Sequence, residues 1–119
     1  MRKEIEILSE IQIDGKRQEG FIKRTQNYSY RTLTPGTADK RLRSFMVTIE
    51  PKEKHKIVEY KHSGEEFIFV YKGELELTLG SNVFHLKQGE TIHFDSGTKH
   101  KLQNISDGKC ELIVTLYTP

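Results

Sequence analysis

A single cysteine, Cys110, leaves no intrachain disulfide to form, so any core must hold together without a crosslink. Apolar residues make up 34% of the 119 positions, and no run of them approaches the roughly 18 residues of a membrane-spanning helix. The chain opens Met1-Arg2-Lys3-Glu4, which is not the start of a secretory signal, so a cytoplasmic address is the expectation. An excess of one charge sign is also missing. Lys and Arg number 19 against 17 Asp and Glu, a net charge of +2 that does not imply a nucleic-acid partner for this chain. The basic runs Lys40-Arg41-Leu42-Arg43 and Lys52-Glu53-Lys54-His55-Lys56 read as solvated loops. No Ser-His-Asp or activated-cysteine arrangement is present, nor a glycine loop able to cradle phosphate. Helical periodicity is absent as well; residues 37–43 admit one short turn at most.

What the chain does have is alternation of period two. Ile5 and Ile7, Ile11 and Ile13, Leu75, Leu77 and Leu79, and Ile92 and Phe94 each alternate with polar neighbours. Turn signals such as Asp14-Gly15, Pro35-Gly36, Lys72-Gly73, Gln88-Gly89 and Asp107-Gly108 punctuate about ten short strands. This pattern predicts one all-β domain, a sandwich or barrel. Residues 1–20 stand apart as an N-terminal extension or edge strand, and 21–119 form the barrel. Cys110 alternates with Leu112, Val114 and Leu116 and reads as an inert core thiol.

Glu66, Ile68 and Val70 share one face of a strand, and Phe67, Phe69 and Tyr71 the other, so coverage on both sides is expected. A carboxylate there is costly unless paired or bound to a cation. Ser63-Gly64 offers a turn to fold His62 back beside Glu66, and His100 is a second imidazole. Two imidazoles and one carboxylate with open positions suit one divalent metal, Fe(II), Mn, Ni or Zn. The competing reading is a metal-free, hydrogen-bonded polar cluster. His55, His85 and His93 are read as surface residues.

These residues lie in a frame that resembles the two motifs of the cupin family. The first reads Tyr60, His62, Glu66, Gly73, with Tyr60 where a first His is usual. The second reads Gly89, Asp95, Gly97, His100, Asn104, with Asp95 where Pro is usual. The resemblance implies a double-stranded β-helix (jelly-roll) barrel with a metal held inside by His62, Glu66 and His100. Tyr60 becomes a pocket wall or hydrogen-bond donor on the same strand face as His62. Asn104 ties down a loop or bonds near the site. From Phe21 to Pro119 the chain is similar to the sensor domains of helix-turn-helix cupin regulators, including polyamine-responsive repressors, and also to iron enzymes acting on phosphonates. The implied function is a stand-alone small-molecule-binding barrel, homodimeric and without DNA binding of its own. The alternatives are a metal-dependent oxygenase or isomerase at the same residues, or a metal-free structural or partner-binding barrel.

Overall fold

The computed structural model describes residues 28–36, 40–51 and 59–119, and the side chains of these except Tyr28, Glu59 and Tyr60. The expectations for residues 1–20, and for His55, fall outside those residues. The described residues form nine strands: β1 (Tyr28–Thr32), β2 (Leu42–Ile49), β3 (Glu59–Tyr60), β4 (Glu65–Lys72), β5 (Leu75–Leu79), β6 (Asn82–Leu86), β7 (Thr91–Asp95), β8 (His100–Asn104) and β9 (Cys110–Tyr117). Among the described residues there is no helix, and none long and apolar enough to cross a membrane.

The strands form two antiparallel sheets, β1-β2-β9-β4-β7 and β3-β8-β5-β6, in a jelly-roll barrel. Alternation decides what lies between them. β2 and β9 bury every second residue, so Phe45, Val47, Ile49, Leu112, Val114 and Leu116 point inward with Ile68 and Val70 of β4. Leu75, Leu77, Leu86 and Leu102 supply the facing layer. Cys110 is fully buried among them, and burial, aided by the charge of Glu111, pushes its thiol up to about 12.

Two expectations need correction. The basic run at 40–43 is not wholly a solvated loop, because Leu42 and Arg43 open β2. Alternation turns Arg43 inward, leaving it 5% exposed while Leu42 is 58% exposed. β4 is also not covered on both faces, since Phe67 and Tyr71 are 38% and 53% exposed. Neighbouring strands satisfy both edges of β4, but only its inner face meets the second sheet, and an antiparallel sheet tolerates an outer face open to water.

Candidate metal centre

Three side chains from three parts of the chain meet between the sheets. Glu66 is the second residue of β4 and faces inward; His100 opens β8 in the opposite sheet; His62 lies in the crossing from β3 to β4. β3 stops at Tyr60, so the two-residue period expected to carry Tyr60 and His62 on one strand face ends before His62. The backbone of Tyr60 pairs with that of His100, and its side chain lies outside what the structure describes.

The crossing is sewn down locally. His62 N–H donates to the Ser96 carbonyl at 2.9 Å, and Ser96 N–H donates to the Gly64 carbonyl at 2.9 Å. Gly64 sits at φ +110°, and a Cβ there would overlap the Tyr117 carbonyl oxygen, so only glycine closes the turn that brings His62 over Glu66. On the other side, Asp95 shapes the turn into β8. Its Oδ1 accepts Gly97 N–H at 2.7 Å, and its carbonyl accepts Thr98 N–H at 3.1 Å.

His62 Nε2 and His100 Nε2 each lie 3.3 Å from the same oxygen, Oε1 of Glu66. The candidate ligand atoms of all three residues fall within 4.8 Å of one another. Side-chain exposure is 8%, 1% and 3% for His62, His100 and Glu66, so water screens the cluster poorly. Metal bonds of about 2.0–2.2 Å would set neighbouring donor atoms roughly 3.0–3.4 Å apart, the spacing of each imidazole from the Glu66 oxygen.

The other ring nitrogens set the tautomers. His100 Nδ1–H donates to the Thr98 carbonyl at 2.7 Å, and His62 Nδ1–H donates to the Ser63 carbonyl at 3.1 Å. A carbonyl oxygen only accepts, so both protons belong on Nδ1 and each neutral ring turns an Nε2 lone pair toward Glu66. Two lone pairs and a carboxylate oxygen aimed at one another repel unless a cation, a proton or a metal ion, sits among them. Phe94 holds the plane of His100 by edge contact, with centroids 4.9 Å apart. Burial by itself would push the Glu66 carboxyl up; when a proton rather than a metal ion sits in the cluster, so that Nε2–H of His100 and His62 donates to Glu66 and the rings are charged, these hydrogen bonds and charges outweigh burial and hold the carboxyl below its usual value.

The remaining motif residues do other work. Asn104 is fully buried, donates from Nδ2 to the carbonyls of Ile49 and Gly108 at 2.9 and 2.8 Å, and accepts from Ser106 N–H at 2.7 Å. These bonds anchor the 105–108 loop, the first of the two roles left open for it. His85 and His93 are exposed and pair with Glu76 and Glu65 at 3.0 and 2.7 Å. Sequence reasoning missed the carbonyls of Ser63 and Thr98, which have no residue-type signal, and the ring of Phe94, visible only as one apolar residue in an alternating strand.

Comparison with known proteins places this geometry in a family. The cupin domain matches residues 45–116. The HTH-type transcriptional regulator PuuR of Escherichia coli is 37% identical over 59 residues, covering 50% of this chain and 31% of the regulator. The chain therefore matches about a third of that relative's length. The crystal structure of the cupin domain of an XRE family transcriptional regulator from Enterobacter cloacae superposes with a TM-score of 0.69 at 20% identity, covering 79% of this chain and 99% of that one. The crystal structure of Fe(II) HppE gives a TM-score of 0.66 at 21% identity, covering 76% and 51%. At these identities the two solved structures speak for the fold alone.

Proposed function

The chain belongs to the cupin domain family, and from that premise we propose that it is a small-molecule-binding barrel of the sensor type, holding one divalent metal on His62, Glu66 and His100. One observation carries the reading: both imidazoles are tied through Nδ1 to backbone carbonyls, so both Nε2 lone pairs converge with Glu66 Oε1. A bound metal would supply a Lewis-acidic anchor with open positions for a ligand. Ser63 and Thr98 orient the rings, and the apolar layers around them exclude water. Fe(II), Mn, Ni and Zn all suit this donor set. The similarity to the regulator PuuR supports sensing as the role, with DNA recognition assigned elsewhere than to these strands. The exposed aromatics Phe67 and Tyr71 favour a homodimer, which sedimentation would check.

The test is Co(II) titration of chelator-treated protein, with elemental analysis of untagged protein. About one equivalent should bind per chain, and His62→Ala and His100→Ala should each abolish binding. Uptake by both variants equal to the parent would leave a metal-free polar cluster. The same open positions admit a second reading, a metal-dependent oxygenase or isomerase. Substrate-dependent oxygen consumption by the Fe(II)-loaded protein would favour it.

A further inference from the structure

On the reading that His62, Glu66 and His100 hold a divalent metal, we propose that the Ser96 hydroxyl completes the ligand site, donating a hydrogen bond to an oxygen of the small molecule that takes the metal's open position. The strand register places Ser96. Glu66 pairs with Phe94 across β4 and β7, and Ser96 follows two residues later, just past the end of β7. Burial alternates through this step, with Phe94 buried, Asp95 exposed and Ser96 fully buried, so Ser96 shares the inner side with Phe94 and Glu66. Diagonal neighbours of this kind across an antiparallel pair lie about 7–8 Å apart. The other two ligands are tied to the same stretch. His62 N–H donates to the Ser96 carbonyl at 2.9 Å, and the Phe94 ring meets the His100 ring with centroids 4.9 Å apart. Ser96 therefore stands beside the cluster, on the side from which His62 reaches it.

The hydroxyl itself calls for a partner. Ser96 N–H donates to the Gly64 carbonyl and the Ser96 carbonyl accepts from His62, so both main-chain groups are engaged. The Oγ atom is buried, and among the described residues it has no hydrogen-bond partner. A buried hydroxyl left so costs free energy, and such exceptions are few in a folded protein. A hydroxyl rotates its proton to suit an acceptor. An oxygen donor on a divalent cation keeps negative charge and further lone pairs, so it accepts a charge-assisted hydrogen bond. A nitrogen donor whose lone pair is spent on the metal offers the hydroxyl nothing. The site therefore selects molecules that present an oxygen of the carboxylate or hydroxamate type to the metal.

The probes are acetohydroxamate, an oxygen donor, and N-methylimidazole, a nitrogen donor with no acceptor left once bound. Both are titrated into Co(II)-loaded protein and followed by the visible Co(II) spectrum. Ser96→Ala should weaken acetohydroxamate about tenfold or more, the cost of one charge-assisted bond, and leave the affinities for Co(II) and N-methylimidazole within about twofold of the parent. Ser96→Cys, similar in size with a weaker donor, should fall between, and it serves if Ser96→Ala does not fold. In metal-free protein the urea midpoint of Ser96→Ala should equal or exceed the parent's, because the deleted group has no bond to lose. A lower midpoint marks a structural hydroxyl and overturns the proposal. Acetohydroxamate binding that is absent from the parent, or equal in parent and variants, also overturns it and leaves the metal site standing. So does an equal loss for both probes, or a fall in Co(II) affinity, since either makes the hydroxyl a support of the metal ligands. A parent that takes up no Co(II) ends the metal reading, and the proposal with it.

Discussion

Glu66 sits where two demands oppose each other. Its strand buries it completely, which penalises the charge, while His100 and His62 favour the charge and prevail. Because the folded carboxyl is held below its unfolded value, the stability it contributes is present above the usual carboxylate range near 4.3 and is lost as pH falls through the lowered folded value. In metal-free protein, urea unfolding across an acid pH series should show Glu66→Gln less stable than the parent at neutral pH, with the gap closing as pH falls. A gap that widens toward acid would contradict this sign. Cys110 has the opposite bias, its thiol pushed up to about 12 by burial. It should resist a disulfide-exchange reagent at pH 8 in folded protein and react at once in denaturant. Rapid modification of the native state would show that the β9 layer opens readily.

Between strands, the turns decide the site. Gly64 combines φ +110° with a position where a Cβ meets the Tyr117 carbonyl, so Gly64→Ala should cost about 2 kcal/mol or more in denaturant unfolding. It should also weaken metal binding, because His62 rides on that turn. Asn104→Ala separates loop anchoring from ligand binding. Losing its bonds to Ile49, Gly108 and Ser106 should cost about 2–3 kcal/mol, with Co(II) affinity unchanged. Loss of metal affinity in a folded Asn104→Ala variant would place that amide in the site. The strands were legible where one face is strictly apolar, as in β9, where Cys110, Leu112, Val114 and Leu116 are all buried. β4 was misread because aromatic residues on its outer face resemble a second core face in the one-dimensional pattern, although they are partly exposed. Arg43 was misread for the converse reason: a cation within a basic run looks solvated until strand phase turns it inward.

At the scale of the whole molecule, the two sheets are separate hydrogen-bonded units, joined by apolar packing and by whatever spans the space between them. The motif spacing marked His62, Glu66 and His100. Their convergence depends on how the sheets face one another, which no local pattern encodes. Glu66 belongs to the five-stranded sheet, His100 to the four-stranded one, and His62 to the crossing between them. A metal on all three therefore staples the sheets, and its binding free energy adds to the stability of the whole fold. At free metal about a hundred times Kd the gain is about 2.7 kcal/mol. For a domain of this size that corresponds to a rise in Tm on the order of 10 °C. Chelator should lower Tm by that amount, and Co(II) or Zn(II) should restore it. Hydrogen exchange should then slow at the amides of Glu66 and His100 together, since one ion restrains both sheets. Protection of one strand without the other would mean the ion sits on one sheet alone and bridges nothing.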